Sequence, residues 1–175
     1  AVSDIPVGGW LGNVSSEDSE QIEKCGSDFV VFQATSSSLG ILQRKGIGRI
    51  LQVEASTDEG LLAAIDELPV DAVLVTTEQI ERFITWHDLM MFQYCAGVLT
   101  KPILAVISTD LEADELQAIW EAGVNGVVVE AGESLQKLRQ TIDNMEFPPQ
   151  RKRGTAEPII PHTFQEDYSE EEEDD

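Results

Sequence analysis

The 175 residues carry 33 acidic against 11 basic side chains, a net charge of −22, and 42% of them are hydrophobic. That length and apolar content suit one domain with a real core, while the negative charge argues against nucleic acid, anionic membrane and polyanionic substrates as partners. No apolar run of about 18 residues and no signal-peptide pattern occurs, and Cys25 and Cys95 are too few and too far apart for a disulfide framework or a metal site, so we expect a cytoplasmic protein with two reduced packing thiols.

The first strand candidate is PVGGWLGN, residues 6–13. Its glycines lack dinucleotide-binding spacing and read as a turn signal. Ser15-x-x-Asp18 then has the form of a capping box, a hydroxyl three residues before a carboxylate. The helix it opens ends at Gly26, and EKCGSDFVVFQ (23–33) runs into a second strand. SSLGILQRKG predicts a short, glycine-interrupted helix. GRILQVEAS (48–56) is the third strand, and Ser56-x-x-Glu59 caps a helix whose Leu61, Leu62, Ile65 and Leu68 fall at helical spacing. DELPVDAVLVTT (66–77) is the fourth strand. Thr85-x-x-Asp88 opens ITWHDLMMFQYCAGVL, which is apolar nearly all round and predicts a helix buried on more than one side. Met90 and Met91 cannot face the same way, so the helix at 86–97 is a candidate homo-oligomer interface. KPILAVIS (101–108), a helix carrying Leu116, Ile119 and Trp120, EAGVNGVVVEA (121–131), and a helix through Leu135, Leu138, Ile142 and Met145 complete the order.

Three of these phrases share one grammar. A helix ends at Gly26, Pro69 or Gly123, an Asp or Asn follows, and a short β-branched run begins. Six strands alternating with helices predict a parallel sheet with a helical outer layer over residues 1–146. Residues 147–175 contain four prolines counted from Pro148, a basic patch at Arg151, Lys152 and Arg153, and an acidic end, and they predict an extended tail.

WEAGVNGVVVEAG followed by ESLQKLRQTI resembles the late βα units of TIM-barrel proteins. Together with KPILAVISTDLEADEL and CGSDFVVF, it is similar in particular to a group of uncharacterised bacterial barrel-like proteins of no known activity. The resemblance implies a TIM-barrel-like βα repeat. A full barrel has eight units and six are counted here, so we expect a barrel whose first two units lie upstream of Ala1, with an open doubly wound sheet as the alternative. Glu133 departs from the small residues with which the phosphate-binding barrel families open the corresponding helix, and it would repel a phosphate there.

In either architecture, ligands bind at the carboxyl ends of the strands. Alternation in ILQVEAS turns Leu51 and Val53 toward the helices and Gln52 and Glu54 inward. Likewise Gly126, Val128 and Glu130 share the inner face, with Val127 and Val129 outward. Glu54 and Glu130 are therefore the candidate catalytic pair, since two carboxylates at a partly dry mouth can work as general acid and base or bind a divalent ion. Gln33, Gln52, Thr76 and Ser108 are candidate contacts for a small molecule. No lysine lies within a strand, and neither His87 nor His162 is at a strand end. Nucleotide, nucleophile-elbow and zinc-protease motifs are also missing from the sequence. No cofactor or metal is implied. The sequence supports a binding or scaffold module without a recognisable catalytic set. The alternative is a barrel lyase, isomerase or metal-assisted hydrolase using the two glutamates.

Overall fold

Runs of valine, isoleucine and leucine bounded by glycine or proline favour strands over helices, because branched side chains pack well on a pleated surface. The computed structural model describes residues 5–11, 26–43, 46–77, 83–132 and 134–147. Within them, six such runs form β1 (Gly8–Leu11), β2 (Phe29–Gln33), β3 (Gly48–Glu54), β4 (Ala72–Thr76), β5 (Ile103–Val106) and β6 (Gly126–Val128). They make one sheet in chain order, and every neighbouring pair is parallel. Among the described residues, four α-helices return the chain: α1 (Glu59–Asp66), α2 (Trp86–Val98), α3 (Ala113–Glu121) and α4 (Leu135–Asn144). A doubly wound sheet would reverse strand order at a switch point and carry helices on both faces. Here the order never reverses and the described helices pack on one face, so the sheet is a partial barrel.

The core lies between that face and the helices. Leu51, Val73, Val75, Ile103 and Ala105 meet Leu62 and Ile65 of α1, Phe92 and Cys95 of α2, Leu116 and Ile119 of α3 and Leu138 of α4. Val53, Val127 and Val129 pack on the same cluster, as the alternation in the sequence predicts. Among the described residues, the layer over β2 is thinner. A 3₁₀ turn, Leu39–Gln43, replaces the expected helix, and its Ile41 packs on Val30 and Phe32. Ser38 is the local cause: its Oγ accepts the Gly40 N–H at 3.2 Å, an alternative to helical bonding.

The shared grammar has a structural basis. Asp28 Oδ2 accepts the Val7 N–H at 2.8 Å, and the Asp28 N–H donates to Val7 O. Asp71 holds the Arg49 backbone by the same two bonds, with its Oδ2 at 2.7 Å from the Arg49 nitrogen. Asn125 repeats the device on Ile103, Oδ1 lying at 2.8 Å. Each side chain acts as one more carbonyl, extending the ladder at the foot of β1, β3 and β5. Gly26 and Gly123 precede two of these clamps with φ of 67° and 100°, positive values that other residues rarely adopt, and Gly123 follows the end of α3.

Helix entry follows the sequence at one site and departs from it at another. Thr85 Oγ1 accepts the Asp88 N–H, and Asp88 Oδ2 accepts the Thr85 N–H, the expected reciprocal cap. Ser56 is not the cap of α1. The Thr57 hydroxyl donates to Glu54 O at 2.6 Å and extends the turn after β3, and Asp58 Oδ1 then accepts from Gly60 and Leu61. Leu62 and Ile65 are buried, whereas Leu61 and Leu68 are exposed, the latter because it lies beyond the C-cap Glu67. The helix predicted after Ser15, Cys25 and residues 148–175 lie outside the described residues. Phe147, where the predicted tail begins, packs its ring on Trp120 at 5.1 Å between centroids.

Candidate functional site

The inner face of the sheet carries the residues that alternate with the core. Register places Gly8, Phe29 and Gly48 at the foot, then Trp10, Val31, Ile50 and Ala72, then Gln33, Gln52, Leu74, Leu104 and Gly126. Glu54, Thr76, Val106 and Val128 form the next tier. Two glycines on this face are required by close approach. A Cβ at Gly8 would fall within the Phe29 ring, and one at Gly126 would come to 2.8 Å from Leu104 Cδ2. Gly126 thus faces a tight interior, as its position beside Val128 implies.

The six candidate residues meet as neighbours in pairs rather than as one cluster. Gln33 lies beside Gln52, and Glu54 beside Thr76. Ser108 and Glu130 continue β5 and β6 past the last paired residues, Val106 and Val128. Gln33, whose direction the sequence leaves open, therefore shares the inner face. Glu54 and Glu130 stand three strand spacings apart, roughly 14 Å along the sheet, and differ by one two-residue step of about 7 Å in height. Paired carboxyls that act together on a glycosidic bond sit roughly 5–10 Å apart. Both glutamates are exposed.

The neutral candidates are engaged locally. Thr76 Oγ1 donates to Val53 O at 3.1 Å, and Ser108 Oγ accepts the Asp110 N–H at 3.3 Å. Gln33 Oε1 accepts from the Ser36 hydroxyl at 3.4 Å. Gln52 Oε1 accepts the indole N–H of Trp10 at 3.2 Å. Trp10 stands on β1 and Gln52 on β3, so the indole crosses β2 on the inner face, over the position of Val31. This residue was missed in sequence. Its signal was the alternation of Gly8 with Trp10, one leaving room for the Phe29 ring and the other reaching across the mouth.

The four described basic residues are committed elsewhere. Arg49 donates to Pro69 O and Leu42 O, and Lys101 to Val70 O. Lys137 pairs with Glu112 at 3.1 Å, and Arg139 with Asp143. Among the described residues no group of three His, Cys, Asp or Glu side chains could hold a metal ion, and no helix is long and apolar enough to cross a membrane. Among the described residues, two titratable groups are shifted, and both sit on α2. Burial pushes the Cys95 thiol up, and desolvation with the Glu59 and Asp58 carboxylates raises the Tyr94 phenol. Cys95 faces Ala55 O and Tyr94 donates to Thr57 O, so both fix α2 to the turn after β3.

The outward side of α2 is different in kind. Phe92 is 1% exposed, but Trp86 is 83% and Met90 64% exposed, and Phe83 just before the helix is 59% exposed. The two methionines do face different ways, Met91 packing on the core cluster.

The chain matches no protein-family profile and no curated protein sequence. It does resemble solved structures. A mutant tryptophan synthase α-subunit from the hyperthermophile Pyrococcus furiosus has a TM-score of 0.62 at 12% identity, covering 79% of this chain and 65% of that one. A second mutant of that subunit gives 0.56 at 13% identity, over 73% and 58%. FabK from Thermotoga maritima gives 0.53 at 15% identity, over 72% and 41%. The chain thus spans less than two thirds of the length of these proteins. At such identities the likeness shows the fold alone: six parallel strands of a TIM-barrel-type sheet.

Proposed function

We propose that this domain is a binding or scaffold module that works through its outer surface rather than through a catalytic set at the strand ends. The observation that carries this reading is the contrast between the two surfaces. At the mouth, the polar candidates are spent on local hydrogen bonds and the two carboxylates stand on strands far apart. On α2, large apolar side chains project into solvent from a chain of net charge −22. An exposed apolar patch rimmed by polar residues marks an interaction surface. The free, buried Cys95 agrees with a cytoplasmic setting.

The test is a thermal-shift screen against small sugars, carboxylic acids, phosphates and divalent cations. Wild type is compared with the double substitution Glu54→Gln and Glu130→Gln. The proposed reading predicts no stabilising compound whose effect depends on those carboxylates. A compound that raises Tm in wild type and does nothing in the double variant would move the function to the mouth. It would favour a lyase, isomerase or metal-assisted hydrolase acting through Glu54 and Glu130.

A further inference from the structure

Besides His87, the exposed positions along α2 and its flanks are Phe83, Trp86, Met90, Gln93, Gly97 and Thr100. Their spacing alternates three and four residues, the period of a coiled-coil seam. None is charged. The one acidic side chain within the helix, Asp88, is spent on the cap at Thr85. Size also changes along the stripe: two aromatic rings at the start, methionine and glutamine at the middle, glycine and threonine at the end.

We propose that this stripe is the seam of a homodimer in which two copies of α2 cross antiparallel about a two-fold axis between Met90 and Gln93. In that register Trp86 of one copy meets Gly97 of the other, Met90 meets Gln93, and Phe83 meets Thr100. Both aromatic rings face a smaller residue and Met90 faces Gln93 across the axis, so the surface complements itself, as a two-fold interface must. A parallel pairing would set Trp86 against Trp86 and leave Gly97 against Gly97, a clash at one end and a void at the other. At roughly 150–250 Å² for a large side chain, the exposed parts of Phe83, Trp86 and Met90 offer on the order of 400 Å² per copy. Two copies then bury about 800 Å² from these three residues alone, and the rest of the seam brings the total toward the roughly 1,200 Å² of a small specific interface.

Charge points the same way. The helices on either side of α2 present exposed Glu59 and Glu67 on α1 and Asp114 and Glu121 on α3. These acids repel across a symmetric interface and attract any basic partner. Self-association through a neutral seam with acidic rims is therefore strengthened by salt, whereas an ionic contact with a basic partner is weakened.

The dimer rests on α2 being the working surface, and its failure is separable from the failure of that reading. The experiment is sedimentation equilibrium of the full chain at micromolar concentrations, in low and high salt. The proposal predicts a mass that rises from 19.2 kDa toward twice that value with concentration, with tighter association in high salt. Met90→Glu and Trp86→Ala, both at exposed positions, each give monomers that unfold as wild type does. Met90→Glu combined with Gln93→Lys restores the dimer, because the antiparallel register brings the two substituted positions together across the axis. A wild type that stays monomeric in both salts overturns the proposal, and so does a dimer that Met90→Glu leaves intact or that salt dissociates. None of those outcomes moves the function to the strand ends, which only the carboxylate-dependent thermal shift can do.

Discussion

Replacing Gly126 by alanine tests the inner face where β5 and β6 meet. The added Cβ would lie 2.8 Å from Leu104 Cδ2, against the roughly 3.5–4.0 Å of a relaxed carbon contact. About 1 Å must be recovered, either by turning Leu104 away from its rotamer or by spreading two paired strands. Overpacking of this kind costs about 1–3 kcal/mol. The atom in the way is the end of a flexible side chain, so the lower half of that range is expected. In a Leu104→Ala background the obstruction is gone. The same Gly126→Ala change should then be neutral or stabilise by about 0.4–1 kcal/mol through a less flexible unfolded chain. Urea denaturation of the four proteins gives the coupling energy, expected at about 1–3 kcal/mol. A coupling below about 0.3 kcal/mol, with Gly126→Ala equally harmful in both backgrounds, would mean that Leu104 and Gly126 do not share a face, and the register of β5 with β6 would be wrong.

Three further outcomes follow from other parts of the molecule. Thr85→Ala should cost about 1 kcal/mol by removing the cap of α2, read as a lower urea midpoint at unchanged slope, while Ser56→Ala should be near neutral because Asp58 does the capping. Asn125→Ala should cost about 1–3 kcal/mol, since it strands the part-buried Ile103 N–H, whereas Asp71→Ala should cost about 0.5–1.5 kcal/mol because the bond to the Arg49 N–H is exposed to water; hydrogen exchange at Arg49 and Ile103 should quicken in the matching variant only. For Cys95, burial raises the folded pKa above its ordinary 9.0, so between the two values the native state keeps a proton that the unfolded chain has lost. Its stability contribution is whole below about pH 9 and declines as pH rises toward the folded pKa, by at most about 1.4 kcal/mol per pH unit. Cys95→Ala should flatten that alkaline decline, leaving the share due to Tyr94, and an unchanged slope would show that the thiol is not desolvated.

Much of the architecture was legible because it depends on local alternation. In ILQVEAS the residues themselves divide into an oily face and a polar one, and the helices occupy the oily face. The cap at Thr85 and the helix end at Gly123 were legible for the same reason, each requiring only residues within one turn. What was not legible depends on competition or on register. Ser56 loses to Asp58 as a cap because Thr57 is drawn back to Glu54 O, a bond that exists only once β3 has ended. The turn at Leu39–Gln43 stays short because the Ser38 hydroxyl takes the Gly40 amide. At the mouth, the sequence could name Gln52 and Glu130 as strand-end residues. It could not show that Trp10 reaches over a whole strand to occupy Gln52, or that Glu54 and Glu130 belong to different tiers. The Asp or Asn before a strand was visible as a repeated letter, and its purpose needs the neighbouring strand to be seen.

That repeated letter also shows how the domain is put together. Asp28 joins β1 to β2, Asp71 joins β3 to β4, and Asn125 joins β5 to β6. The residues leading directly into β3 and β5, Ile47 and Pro102, have no side chain that could do the same. The fold therefore counts in twos. Counted by these clamps, its unit is a pair of strands, and the joints without a clamp lie between β2 and β3, which the Trp10–Gln52 bond spans, and between β4 and β5. Anyone lengthening, splitting or grafting this domain should cut there and move strands two at a time, since such a cut leaves both halves of each clamp in the same piece.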